Sequence, residues 1–240
     1  MSLKEDRFQR MELLIGPAAT KRLCHASVAV FGVGGVGSYA VEALARGGVG
    51  RLTLIDYDDV CLTNINRQIH ALERTVGRPK VMVMAERCRE INPEVQVVPL
   101  KKFYEASLSS ELLDCGYDYV LDCIDTITAK LDLIEQCKSM GLPVISSMGA
   151  ANKLDPTLIE VADIAATRKC RLARTIRKEL RKRGIENGVK VVYSTEEFRP
   201  LQDGEVTERT PTLGSSSYIP PQFGLMMAGV VIQKLIGDIV

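Results

Sequence analysis

Gly32-Val33-Gly34-Gly35-Val36-Gly37 decides how the rest of the chain is read. It follows directly on Ser27-Val28-Ala29-Val30-Phe31, an apolar run of strand length rich in β-branched residues. Residues 38–46 then read as a helix with Val41, Leu44 and Ala45 on one side, and residues 51–56 as a second strand ending on Asp56. A glycine-rich turn becomes a nucleotide fingerprint only between a strand and a helix, with an acid further on. That context is present. Gly32 allows the tight turn, Gly34, with Gly35 beside it, lets backbone approach a phosphate or ribose, and Gly37 lets the helix pack near the strand. The helix start offers N–H groups and a positive dipole end to an anion. Asp56 is placed to accept hydrogen bonds from ribose hydroxyls. A turn that merely packs tightly is the plain alternative, and the glycines do not separate NAD from ATP.

The predicted fold class is α/β, a Rossmann-like, mostly parallel sheet with helices on both faces. An N-terminal helical arm (residues 1–26), a basic helix and mobile loop (164–217) and a C-terminal helix (218–240) complete a single domain of 240 residues. Hydrophobic residues make up 46% and charged residues 25%, enough for a large core. The net charge of +1 argues against whole-molecule attraction to nucleic acid, so any such surface must be local. No basic segment followed by an apolar run opens the chain, so a secretory leader is not expected. The late apolar stretch 223–240 carries Gln233, Lys234 and Asp238 and reads as a buried helix, not a membrane span. The seven cysteines are scattered without a C-x-x-C pair, which fits a reducing cytoplasm and removes the usual four-cysteine zinc site.

In chain order, residues 2–15 read as a helix, with Ser2 and Glu5 spaced as a capping box and Phe8, Met11 and Ile15 on one face. Arg7 and Arg10 on this arm read first as a solvated face. After Asp56 comes a polar loop in which Asp58, Asn64, Arg67 and Gln68 can face a nucleotide. Lys80 opens the next helix, where a bound phosphate would offset its unfavourable place at a helix start. Further strands are expected at 95–98, 117–125, 142–147, 158–161 and 189–193. Asp56 and Asp125 both fall at carboxyl ends of strands, where ligands bind in open α/β sheets. Two acids there suit a magnesium–phosphate site; Asp125 could equally cap the helix over 126–140. Residues 167–183 form a strongly basic helix held down by Leu172, Ile176 and Leu180. Arg171, Arg174, Lys178 and Arg181 recur on another face, the footprint of a polyanion site. Residues 199–217, rich in Pro, Gly and Ser, read as a loop that orders with substrate, and Pro220-Pro221 as the lead into a final helix.

Gly32-x-Gly34-Gly35-x-Gly37, Asp56-x-Asp58, Asn64-x-x-Arg67-Gln68, Lys80 and Cys123-Ile124-Asp125 together resemble the ThiF/MoeB/HesA family, the adenylating enzymes related to ubiquitin-activating enzymes. The resemblance runs nearly the whole length. Asn66-Arg67-Gln68-Ile69-His70-Ala71-Leu72, Asp155-Pro156-Thr157 and Tyr193-Ser194-Thr195-Glu196 are most similar to the branch that dehydrates threonylcarbamoyladenosine in tRNA; the missing zinc cysteines agree with it. The resemblance implies ATP with magnesium, a carboxylate attacking the α-phosphate, and an acyl-adenylate that an internal carbamoyl atom then closes into a ring. It implies that Arg67 and Lys80 neutralise phosphate charge, Asp125 holds magnesium, Asp56 the ribose, and Arg10 completes the site of a homodimer partner. It also implies that the basic helix contacts tRNA phosphates and that the 199–217 loop covers the anticodon arm. The competing expectation is activation of a ubiquitin-like sulfur carrier's C-terminus, with sulfur-transfer proteins as partners and Cys170 as an activated thiol. An NAD-dependent dehydrogenase leaves Arg67, Lys80 and Asp125 unexplained, and a non-catalytic tRNA adaptor would show no ATP–pyrophosphate exchange.

Overall fold

The computed structural model describes residues 6–197 and 213–237. Seven strands are present: β1 (Ser27–Phe31), β2 (Arg51–Ile55), β3 (Gln96–Leu100), β4 (Tyr119–Asp122), β5 (Val144–Ser147), β6 (Ile159–Asp163) and β7 (Lys190–Ser194). They form one sheet in the order β3-β2-β1-β4-β5-β7-β6. All neighbours run parallel except β6, which lies antiparallel to β7 at one edge. Pro99 is tolerated within β3 because that strand is the other edge.

Among the described residues eight α-helices accompany the sheet: α1 (Gln9–Ile15), α2 (Pro17–His25), α3 (Gly37–Arg46), α4 (Lys80–Ile91), α5 (Ser109–Leu113), α6 (Ile127–Ser139), α7 (Arg171–Lys182) and α8 (Ile219–Ile236). Successive strand residues face opposite sides. In β1, Val28 and Val30 join the core under α2, α3, α4 and α8, while Ala29 and Phe31 join the core under α5 and α6. A third cluster seats α7 on α6 and β7 through Ala173, Ile176 and Leu180. Helices thus lie on both faces, as the alternating strand and helix signals require. By length and composition α8 could cross a membrane, but half of it is buried inside the fold. Phe223, Met227, Ala228 and Val231 reach the main core.

Some boundaries differ from the sequence expectation. Helix α1 begins at Gln9, and the proposed cap Ser2–Glu5 lies outside the described residues. Most of the 199–217 loop also lies outside them. Pro220 and Pro221 do not precede α8 but sit in its first turn, where a missing N–H costs nothing. Helix α7 is shorter than 167–183 because Cys170 caps it, its sulfur accepting from the Ala173 N–H. Strand β4 stops at Asp122, so Asp125 is in the following turn. It does not cap α6 either, whose N-cap position is Thr126.

Candidate active site

The strand order reverses between β1 and β4, and the crevice beyond their carboxyl ends is where open α/β sheets bind ligands. Gly32 leaves β1 with φ of +87°, and a Cβ there would stand 2.7 Å from the Cys123 carbonyl oxygen. Gly37 is more constrained: its Cβ would lie 1.8 Å from the Gly32 oxygen. These two glycines are needed by the protein's own packing. Gly34 differs, since a Cβ would meet only Gln68 Nε2 at 3.8 Å. The open space there belongs to a cavity of about 510 Å³.

Gly32, Gly34, Gly35, Asp56, Asp58, Asn64, Arg67, Gln68, Lys80 and Asp125 all line this cavity. Gly37 lies beneath it. Asp56 is buried at the end of β2; its Oδ2 accepts from the Val33 N–H (2.6 Å) and its Oδ1 from the Asp58 N–H (2.8 Å). Burial pushes its pKa up, while Lys80 and the two N–H groups pull the other way. A carboxylate has about four lone-pair sites, so two remain for ribose hydroxyls. Segments 58–60 and 77–80 are laced together by Val60 N–H to Arg78 O (2.9 Å), Gly77 N–H to Val60 O (2.8 Å) and Lys80 N–H to Asp58 O (3.1 Å). This brings the buried Lys80 ammonium to 2.6 Å from Asp58 Oδ2.

The intervening turn is organised by Asn64. Its Oδ1 accepts from the Cys61 N–H (3.0 Å), and its carbonyl accepts from the Arg67 and Gln68 N–H groups. Arg67 packs its methylenes over Gly35 and donates through Nη1 to Thr63 O and Asn66 Oδ1, both at 2.8 Å. Among the described residues Nε and Nη2 take no protein partner. Gln68 Oε1 is buried and also without a partner among them. A nucleotide hydroxyl or amino group there would satisfy it. Asp125 is exposed and accepts only a long 3.4 Å contact from Thr126 Oγ1. Among the described residues no three His, Cys, Asp or Glu side chains gather to hold a metal. A single exposed carboxylate at the cavity wall is compatible with magnesium, which takes one or two carboxylates plus phosphate and water oxygens. Tyr57 and Phe103 also line the cavity, their rings edge to face at 4.8 Å.

Beneath the cavity lies a pair that the sequence reading missed. Lys130 Nζ sits 2.7 Å from Asp122 Oδ2, both side chains fully buried, and is held by Ser146 Oγ (3.3 Å) and Ser147 O (3.0 Å). Asp122 Oδ1 accepts from the Ile124 N–H (3.1 Å) and so shapes the turn that carries Asp125. A lysine among Ala129, Leu131, Leu133 and Ile134 was the available signal, since a buried lysine requires a partner.

Other expected residues lie elsewhere. Arg10 is exposed on α1, which packs near the amino ends of the strands, away from the cavity: Phe8 rests on Gly48, and Arg7 donates to Ile91 O. Arg171, Arg174, Lys178 and Arg181 are exposed along α7. The first turn of that helix reaches the cavity through Leu172. Cys170 is 7% exposed and engaged as the α7 cap, not presented as a thiol.

Residues 8–239 match the ThiF family. The tRNA threonylcarbamoyladenosine dehydratase of Bacillus subtilis is 44% identical over 97% of this chain and 96% of its own. Crystal structures of the E. coli tRNA N6-threonylcarbamoyladenosine dehydratase, TcdA, include complexes with ATP and with AMP. The ATP complex superposes with a TM-score of 0.89 at 38% identity, over 96% of this chain and 93% of that one. The molybdopterin-synthase adenylyltransferase of Salmonella typhimurium is 36% identical, but over only 54% of this chain and 51% of its own.

Proposed function

The chain belongs to the ThiF family, and from that premise we propose that it uses ATP to dehydrate threonylcarbamoyladenosine in tRNA. The threonyl carboxylate attacks the α-phosphorus, the bond to the β-phosphate oxygen breaks, and pyrophosphate leaves. A carbamoyl atom then attacks the acyl carbon, loses its proton, and expels AMP with one former carboxylate oxygen. The ring closes, and the net loss is one water. The observation that carries this reading is the gathering of Arg67, Lys80 and Asp125 around the open space at Gly34.

Arg67 presents Nε and Nη2 to the phosphates, and Lys80 meets the developing charge already aligned by Asp58. Donors held in place before the reaction need no reorganisation during it. Asp56 and Gln68 take the nucleoside end, with Gln68 Oε1 gaining a partner. Asp125 would hold magnesium, which would supply positive charge against the phosphates.

The protein acts as a homodimer in the cytoplasm. Leu13 and Leu14, 82% and 76% exposed on α1, call for a covering partner, and a two-fold mate would bring Arg10 to the other subunit's cavity. Light scattering at the mass of one chain would count against this. All seven cysteines are free thiols, as a reducing compartment requires. The exposed α7 face of Arg174, Lys178 and Arg181, with Arg171 beside it, receives phosphates of the anticodon arm, on the helix whose first turn reaches the cavity through Leu172. Reversing Arg174 and Arg181 to Glu should weaken tRNA binding about tenfold or more and flatten its salt dependence, leaving ATP affinity alone. The buried, capping Cys170 leaves the thiol-intermediate reading without a presented nucleophile.

Nucleoside mass spectrometry tests the proposal. The protein is incubated with magnesium–ATP and tRNA carrying threonylcarbamoyladenosine, and the nucleoside is weighed after gentle digestion. A mass lower by one water, only with ATP, is expected. An unchanged mass with ATP turnover intact would move the substrate to a protein C-terminus.

A further inference from the structure

Asn66 is an exposed residue between two cavity-lining positions and has no role so far. Its side chain makes two bonds of opposite sense. Oδ1 accepts from Arg67 Nη1 at 2.8 Å, and Nδ2 donates to the Ser215 carbonyl at 3.0 Å. A guanidinium can only donate and a carbonyl can only accept, so the amide orientation is dictated by its neighbours. Turning it over would break both bonds.

Ser215 belongs to the segment leading into α8, and Leu213 and Ser215 line the cavity opposite the glycine turn. The same segment is fastened at Asn152, whose N–H donates to Gly214 O (2.8 Å) and whose Oδ1 accepts from the Gly214 N–H (2.6 Å). Asn152 has φ of 54°, a left-handed conformation that Asn adopts more readily than most residues. Tyr218 OH donates to Leu154 O at 2.8 Å beyond it. The far wall is thus tied to the β5 end at Asn152 and to the arginine side at Asn66.

We propose that Asn66 is a positioning residue that couples this wall to the Arg67 guanidinium. When the segment at Ser215 is in place, Asn66 Oδ1 is aimed at Nη1. Together with Thr63 O it fixes the rotation of the guanidinium, so that Nε and Nη2 face the reacting phosphate. Asn66 itself touches no reacting atom. The inference rests on the role given above to Arg67.

The test is single-turnover release of pyrophosphate from ATP with tRNA carrying threonylcarbamoyladenosine, alongside equilibrium ATP binding and thermal melting. Asn66→Ala should slow release about 10- to 100-fold, as expected for a misplaced catalytic group. ATP affinity and melting temperature should hold. Asn66→Asp keeps the acceptor for Arg67 and loses the donor to Ser215, so it should stay slow; a fully recovered rate would show that the Ser215 wall plays no part and would overturn the coupling. In a double-mutant cycle, adding Asn66→Ala to Arg67→Ala should cost nothing further, since both remove one interaction. Additive losses, or a normal rate in Asn66→Ala beside a slow Arg67→Ala, would overturn the coupling. A normal rate in Arg67→Ala would instead sink the role of the arginine, and this inference with it.

Discussion

The two walls of the cavity contrast in how they are held. On the glycine side, Asp56, Gln68 and Lys80 are buried, and Asp56 and Lys80 are tied to backbone or to each other's neighbours by bonds of 2.6–2.8 Å. Below them the Asp122–Lys130 pair is sealed from water. On the far side Leu213 is exposed, Ser215 is held by Asn66 reaching across from the arginine side, and the basic face of α7 stands in solvent. The first wall is preorganised and intolerant; the second is assembled from short amide contacts that can re-form around a large ligand. A nucleotide of constant shape suits the former and a macromolecular substrate the latter.

The largest break in this contrast should come from Lys130→Met, which leaves Asp122 as a buried charge without its ammonium. A loss of about 3–5 kcal/mol is expected, read from urea unfolding midpoints. Replacing both residues by apolar ones of similar volume should restore most of it. If the single variant unfolds like the wild type, the floor is wetter than its geometry indicates.

His70 sharpens the contrast through pH. It lies buried two residues after Gln68, both ring nitrogens unpartnered among the described residues. Burial, with Lys80 and Arg87 nearby, lowers its pKa from 6.5 to about 4. Above pH 6.5 neither the folded nor the unfolded state holds the extra proton, so stability is unaffected there. As pH falls from 6.5 towards about 4 only the unfolded chain takes it up, and stability is lost, levelling off below the lower value. The full loss amounts to ~3 kcal/mol. His70→Asn should flatten that acid limb relative to the wild type; parallel curves would show that His70 is protonated in the fold.

The smallest effect belongs to the outer wall. Arg168 pairs with Glu160 at 2.6 Å, with 65% of the arginine side chain exposed. Arg168→Ala should change unfolding free energy by less than ~1 kcal/mol. A larger cost would mean that the start of α7 is held as firmly as the glycine turn.

What the sequence made legible follows the same division. The glycine turn, Asp56 and the polar loop could be read because their chemistry is local: strand, turn, helix and acid follow within a short span. Lys80 was legible as a helix start, though not the Asp58 contact that buries it. The Asp122–Lys130 pair was missed because it joins a strand end to a helix face, and only the folded chain puts them together. Asp125 was read as a strand end and possible cap; the strand stops earlier because the Asp122 side chain bonds the Ile124 N–H and turns the backbone out. Asn66 was read only as part of the stretch that carries the resemblance; its link to the far wall was not, because one of its partners is far along the chain and the other is its own neighbour, so no spacing rule applies. Arg10 was expected to serve a partner subunit's site; α1 carries it to the amino ends of the strands, away from the cavity of its own chain, and no intrachain pattern could pair it with a site.

Helix α8 has a consequence for biosynthesis. It packs along α3 and against β5 and β7, and supplies Phe223, Met227, Ala228 and Val231 to the largest apolar cluster. Every strand of the sheet is translated before it. On the ribosome, the nascent chain must therefore wait with α3, β5 and β7 uncovered on that side until residues through Ile236 have left the exit tunnel. Transiently exposed apolar surface of this kind is what chaperones recognise. The helix that closes the main core is thus made after every described strand, and a ribosome stalled shortly before it would hold a chain with its sheet formed and one face bare.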